Sequence, residues 1–547
     1  MNPFTRIGIG VRNVIKDLFF RIPTFDEVIA AIRPIVGIPS PDPSADAARV
    51  AILTVRGLVD FNLFNELVIA KALTLRGHQC RGLICDGTLP ACDTRTVLTA
   101  DPDAVCRECR RRSRVGYQAF GIPAVTLSEL VAPETIDRFC AQVEQMTYPD
   151  LFDFTADGVA LGQIARASTY RYFLRGSLDE RHEPVARKFL LAAMIQLEAS
   201  KGLLEQFAPT HAFSSHGIYV SWGVFAQHLP QQGVRTNYYD ASYRRGTIRV
   251  TNGADVFKFF IDEPEERWRD LDLTPARVER LENYLASRLS GKNDWPKYRW
   301  QPKRPKSAEA AVQLLKLDPS KSKVGLFTNI AWDAVIHYDS DAFTDMFDWV
   351  FATIDHFADR PEIELLIGVH PAEIRLEDKT QERLIDALQA RYPQMPAHIK
   401  LVSPELNISN YTVASLCRAA IVYGTNMGLE MALRGMPVIV AGTPLYHGKG
   451  FTLDVATREQ YEEILGNIDT LPPPDKQALD RARRYAYHLF FETSLPFNLI
   501  EWGPNFEIKG LNFTKAEYLT AGNDTALEMV CDSILRGTPI KVGDDFV

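Results

Sequence analysis

The 547-residue chain has no run of 18 apolar residues, so nothing in it reads as a membrane-spanning helix. It has no excess of positive charge either. Its 61 Lys and Arg stand against 69 Asp and Glu, a formal net charge of -8, which gives no global field to attract nucleic acid. The opening "MNPFTRIGIGVRNVIKDLFF" lacks a compact apolar stretch with a small-residue cleavage site, so it does not read as a secretory signal. A cytoplasmic location is therefore expected. No repeat of solenoid period is present. The remaining composition, 46% apolar and 24% charged, is that of an ordinary globular protein, and the length calls for two or three domains.

Within residues 1–44, Phe4, Ile7, Val11, Val14, Ile15, Leu18 and Phe19 recur at helical spacing among Arg6, Arg12, Lys16 and Arg21. The pattern predicts an amphipathic helix packed on the protein's own core. A basic helix of this kind also suits an anionic lipid surface, which keeps peripheral membrane association, at the inner face of the membrane, as an alternative.

Residues 49–86 hold the first strand–helix–strand unit: "VAILTV", then "NLFNELVIAKALTLRG" ending at Gly77, then "CRGLIC". A second unit reads "THAFSSHG", helix "IYVSWGVFAQHLPQQG" and strand "VRTNYY". Such units imply right-handed parallel crossovers. Residues 45–298 are thus expected to form one Rossmann-like domain, with a cysteine-rich insertion at 80–115. The Pro-rich basic stretch "NDWPKYRWQPKRPKS" predicts a linker over 299–320. From "SKVGLFTNIAW" onward, "ELLIGVH", "IKLVS", "AAIVYG" and "MPVIVAG" alternate with helices near 343–358, 379–392 and 411–417. That predicts a second Rossmann-like domain over 321–475, followed by a helical region over 476–547. The fold class is α/β: two doubly wound domains facing a cleft, where ligands sit beyond the carboxyl ends of the strands.

Polar residues at those strand ends are the candidates for function. His370-Pro371 ends one strand, with Glu373 and Arg375 behind it; proline biases the His toward extended backbone and holds it at the tip. In "VYGTNMGLEMALRG", Gly424, Thr425 and Asn426 interrupt the apolar run. Thr425 or Asn426 would cap the helix, whose first amides suit a phosphate. Gly428 would admit close approach of a ligand. Glu430 has two readings, a ribose acceptor or a carboxylate settled by the helix dipole. Lys449, with His447, lies in the loop "GTPLYHGKGFTLD", and Asn329, with Thr328 and Asp333, follows the domain's first strand. In the N-terminal half, His216 in "SSHGIYVSWG" is the candidate general base, since an imidazole near neutrality suits deprotonation of a hydroxyl; a structural turn His is the alternative. Arg56 and Asp60 in "TVRGLVDFN", and Asp240, Tyr243 and Arg244 in "YYDASYRRG", are candidates for holding an acceptor.

Five of the eight cysteines crowd into 30 residues, and the spacing Cys85-x6-Cys92 with Cys106-x2-Cys109 suggests a tetrahedral metal site. Disulfides are disfavoured in a cytosolic chain. A structural zinc is expected, with an iron–sulfur cluster or plain reduced thiols as alternatives.

"HPAE", "YGTNMGLEMALRGMPVIVAG" and "YHGKGFTLD", in this order, resemble the nucleotide-binding half of the capsule polysaccharide biosynthesis family, GT-B fold glycosyltransferases of which some use CMP-linked Kdo. The resemblance covers roughly residues 320–465. It implies a nucleotide-sugar donor, a glycan or lipid-linked glycan acceptor, and no catalytic metal. It also implies that His370 contacts the nucleotide, Thr425 and Asn426 the phosphate, and Glu430 the sugar or ribose. The turn "GTN" departs from the paired Ser/Thr of CMP-using relatives, so UDP and GDP donors stay open. Two other functions fit the same cleft: a polyol-phosphate transferase of teichoic-acid type with a CDP-linked donor, and a non-catalytic assembly scaffold.

Overall fold

A computed structural model describes residues 22–295, 305–333, 342–376 and 379–546. The amphipathic pattern at residues 4–19 lies outside them. Among the described residues, no helix is long and apolar enough to cross a membrane.

Short β-branched runs became the strands of two sheets. The first contains β1 (Arg49–Ile52), β2 (Gln79–Ile84), β3 (Ala124–Thr126), β4 (His211–Ser215), β5 (Arg235–Ala241) and β6 (Thr247–Asn252). The second contains β7 (Ser322–Phe327), β8 (Ile363–Gly368), β9 (Ile399–Val402), β10 (Ala419–Val422), β11 (Val438–Val440) and β12 (Leu453–Asp454). A strand near the C-terminus, β13 (Leu495–Pro496), joins the first sheet. The orders are β13-β6-β5-β4-β1-β2-β3 and β12-β11-β10-β7-β8-β9. All pairs of the second sheet are parallel, whereas β6 runs antiparallel to β5 and β13 antiparallel to β6.

Within the second sheet the chain lays down its strands as 3-2-1-4-5-6, the doubly wound order that opens a crevice where the winding reverses. That reversal lies between β7 and β10. In the first sheet it lies between β1 and β4. This is the GT-B-like pair of Rossmann-type domains that the sequence implied.

Helix Asp60–Leu75 is buried on every side, residues 61–74 including Asn65, Glu66 and Lys71, because it is covered twice. The sheet takes one face; helix Phe25–Val36 and the chain's C-terminal segment share its core cluster on the other. The C-terminal segment crosses back to the first domain: Asn237 Nδ2 donates to the Ser533 carbonyl at 3.2 Å from helix Thr525–Arg536. Beyond helices, residues 476–546 hold β13 and a two-stranded sheet, β14 (Ile500–Trp502) with β15 (Ile508–Leu511). The described part of the expected linker carries a helix, Ala308–Leu315.

One helix starts later than its periodicity predicts. Residues 219–222 form a turn, and the helix is Gly223–Gln231. His216 (φ 58°) and Gly217 (φ 96°) are both left-handed, which swings the chain away from the β4 axis before the helix can begin. Ser221 then bonds to Asp93, and the Val220 N–H donates to Ser168 Oγ at 2.9 Å.

Candidate functional site

Both reversal points open on one cavity of about 580 Å³, within the range of small-molecule sites. On the second-domain wall, Asn329 after β7 and Gly424 after β10 are joined: the Gly424 N–H donates to Asn329 Oδ1 at 2.9 Å. His370 follows β8, and its N–H donates to Thr328 Oγ1 at 3.1 Å. The Ala372 N–H donates to His370 Nδ1 at 3.2 Å. Burial pushes the pKa of His370 down to about 4, so the ring is neutral and its one proton sits on Nε2. His370 and Pro371 both line the cavity, as do Gly424, Thr425 and Asn426.

The helix after this turn is only six residues, Met427–Ala432. Asn426 gives it no side-chain cap; its Nδ2 donates instead to the Tyr243 hydroxyl at 2.8 Å, from the other wall. Thr425 Oγ1 accepts from the Met427 N–H at 3.3 Å. A Cβ on Gly428 would lie 2.0 Å from the Tyr446 hydroxyl oxygen. The glycine therefore makes room for Tyr446, whose hydroxyl donates to the Thr425 carbonyl at 2.7 Å, and not for a ligand.

On the first-domain wall, the His216 ring lies 5.2 Å from those of both Tyr219 and Trp222, stacked on each. Its Nδ1 is buried without a hydrogen-bond partner, and burial lowers its pKa below the usual 6.5. Arg56 lies 4.0 Å over the Trp222 ring and pairs with Asp93 at 2.6 Å. Asp240 closes this wall, its Oδ1 accepting from the Ala241 N–H at 2.7 Å.

The family match falls on one half of this cavity. Residues 304–469 match the family model "Capsule polysaccharide biosynthesis protein". No curated protein matches the chain. Among solved structures the chain is similar to Thermosulfurimonas dismutans KpsC, beta Kdo 2,4 transferase, at 14% identity and a TM-score of 0.30. That alignment covers 50% of this chain and 79% of that one. It is also similar to the UDP-GlcNAc 2-epimerase of Neisseria meningitidis bound to UDP-GlcNAc, at 10% identity and a TM-score of 0.23, over 82% of this chain and 98% of that one. For a sucrose-phosphate synthase of Thermosynechococcus elongatus the values are 14% and 0.27, over 81% and 95%. Likenesses this distant assign neither substrate nor residue roles. The capsule-family match contains His370, Asn329 and the 424–426 turn, and leaves the His216 wall outside it.

Several residues expected at the site are engaged elsewhere. Lys449 is buried outside the cavity, with Nζ donating to the carbonyls of Glu263 at 2.7 Å and Ile261 at 3.1 Å. Glu373 accepts from the Leu384 N–H at 2.6 Å behind the His370 loop, and burial raises its pKa to about 7. Asp60 pairs with Arg112 at 2.7 Å and accepts from the Ile508 N–H at 3.1 Å, away from the cavity. Arg244 faces a different cavity, donates to the Ser494 carbonyl at 3.1 Å and lies 4.6 Å over Phe491. Glu430 does line the site, but its carboxylate is held by Arg288 at 2.9 Å.

Cys85, Cys92, Cys106 and Cys109 line one small cavity of about 20 Å³ together with Arg56, Arg95 and Arg110. The Gly57 N–H donates to Cys109 Sγ at 3.2 Å, and the Gly87 N–H to Cys85 Sγ at 3.4 Å. Among the described residues, no three His, Cys, Asp or Glu side chains are grouped to hold a metal ion. Burial pushes the Cys85 thiol up to about 12, which keeps it protonated in this arrangement.

Tyr243, expected with Asp240 and Arg244 to hold an acceptor, does line the cavity, whereas Arg249 and Arg288 were absent from the sequence expectations as ligand contacts. Arg249 left a trace: it is the lone charge inside "TIRVTN", a run otherwise made of strand formers and polar uncharged residues.

Proposed function

We propose that the protein is a nucleotide-sugar-dependent glycosyltransferase that moves a sugar onto a glycan or lipid-linked glycan in capsular or surface polysaccharide biosynthesis. The observation that carries this reading is the shared cavity. The winding-reversal points of both sheets open into it, with His370 and the Gly424–Asn426 turn on one wall and His216 and Asp240 on the other.

In this reading the second domain holds the donor. Backbone amides of Thr425 and Asn426 and the Nε2–H of His370 face the phosphate, while the Gly424 N–H stays on Asn329; a neutral imidazole donates there at any ordinary pH. The first domain holds the acceptor. His216 accepts the proton of an acceptor hydroxyl as that oxygen bonds to the anomeric carbon. The bond from this carbon to the donor's phosphate oxygen breaks, and the negative charge stays on the leaving nucleotide, where the turn and His370 stabilise it. Arg56 and Asp240 orient the acceptor.

A panel of UDP-, CMP- and GDP-sugars, with CDP-glycerol included, tests the proposal by release of free nucleotide. Hydrolysis of one nucleotide sugar, lost in His370→Ala and His216→Ala, is expected. Release from CDP-glycerol alone would instead assign a polyol-phosphate transferase, and no release from any donor would favour a scaffold.

A further inference from the structure

Arg249 sits in the middle of β6 with a relative exposure of 5%, and its neighbours from Thr247 to Thr251 are all buried. In the antiparallel pair with β5 it stands directly opposite Asp240, and both residues line the cavity. Its guanidinium lies 4.4 Å over the ring of Tyr243 and 5.5 Å from that of Phe260. Aromatic faces stabilise a cation, but they do not use its N–H groups. Nε and Nη1 of Arg249 are buried with no hydrogen-bond partner.

Two other cations of the cavity are answered by carboxylates. Arg56 pairs with Asp93, and Arg288 with Glu430 at 2.9 Å and Asp294 at 3.4 Å. Arg249 forms no ion pair among the described residues, even with the Asp240 across the strand. A guanidinium keeps its proton, so this charge is permanent, buried and unmatched among the described residues. A buried charge is stable only when paired, and a guanidinium fork pairs best with the two oxygens of a carboxylate or phosphate. Tyr243 sets the position: Arg249 packs on its ring, and its hydroxyl accepts from Asn426 of the opposite turn. The fork is thus one side chain away from the strand end assigned to the donor.

We propose that Arg249 is an anion subsite of the cleft, gripping an oxyanion carried by the ligand and selecting acidic ligands over neutral ones. This rests on the cavity being the substrate cleft, as in the proposed function. The oxyanion has two sources, the donor's phosphate or a carboxylate on a sugar.

The test is binding to wild type, Arg249→Met and Arg249→Lys, by calorimetry, with two matched pairs of probes. UDP against uridine reads the phosphate; methyl glucuronide against methyl glucoside reads the carboxylate. Wild type is expected to prefer the charged member of at least one pair. Arg249→Met is expected to lose about tenfold in affinity for that member and nothing for its neutral counterpart. Arg249→Lys, which keeps the charge without the fork, is expected to fall between them and serves should the Met variant fail to fold. A loss confined to UDP assigns the donor phosphate, and one confined to the glucuronide assigns a sugar carboxylate. Equal affinity of wild type for both members of each pair, or unchanged affinities in both variants, overturns the proposal. A glucuronide preference with no nucleotide binding would uphold the anion subsite while sinking the glycosyltransferase reading.

Discussion

Arg288, the last residue of helix Pro275–Arg288, donates from Nε to Glu430 Oε1 at 2.9 Å, joining two segments 142 residues apart in sequence. Glu430 is 3% exposed. Burial works against the charge of Arg288, but Glu430, Tyr284, Tyr411 and Asp294 around it hold its pKa well above the usual value. The carboxylate expected to meet a ribose is thereby committed to holding the cleft floor together.

Removing one partner should therefore act on stability first. Arg288→Met leaves Glu430 charged and buried, and is expected to cost about 3–5 kcal/mol in urea unfolding. The double variant Arg288→Met/Glu430→Met should recover much of that loss. Additive losses would show that the two residues do not act as a pair.

His216 predicts the acid limb of the activity profile. Its pKa lies below 6.5, so the basic form persists as pH falls through that value. Once a donor is known, the acid limb of kcat/KM should have its midpoint below pH 6.5. His216→Ala should lower kcat by about 10²–10⁴-fold without that limb. A limb centred above 6.5 in the wild type would assign the base to another group.

Glu66 gives a stability prediction independent of activity. Thr54 donates to its Oε2, while Oε1 is buried without a partner, and burial raises its pKa from 4.5 to about 8. Between those values the folded state holds a proton that the unfolded state has lost. The contribution is complete below pH 4.5 and is lost as pH rises through about 8, at ~1.4 kcal/mol per pH unit. Glu66→Gln should flatten the fall in Tm between pH 5.5 and 8. An unchanged slope would contradict the assignment.

The cysteine pocket has its own readout. With its thiol pushed up to about 12, Cys85 carries almost no thiolate at neutral pH. Iodoacetamide at pH 7.5 should label it at least about tenfold more slowly than in the urea-unfolded chain. Equal rates would show that the pocket is open.

Much of this was legible because parallel strands buried on both faces read as apolar runs, and their ends are marked where polarity returns. Asn329, His370 and the 424–426 turn are of this kind. The same logic found His216, though not the left-handed backbone that delays its helix. What stayed hidden depends on partners distant in sequence. Nothing near Lys449 says that it is spent on carbonyls 186 and 188 residues away, and nothing near Asn426 points to Tyr243, 183 residues earlier. β6 was missed because an antiparallel strand carrying a buried arginine breaks the apolar pattern that marks its neighbours.

The central claim is that the turn at Thr425 and the imidazole of His370 bind a nucleotide phosphate in the shared cavity. The direct measurement is the thermal midpoint of wild type and His370→Ala with saturating CMP, CDP, UDP and GDP. At least one nucleotide is expected to raise the wild-type midpoint, with a smaller rise in the variant. No shift with any of the four, or identical shifts in both proteins, would contradict it.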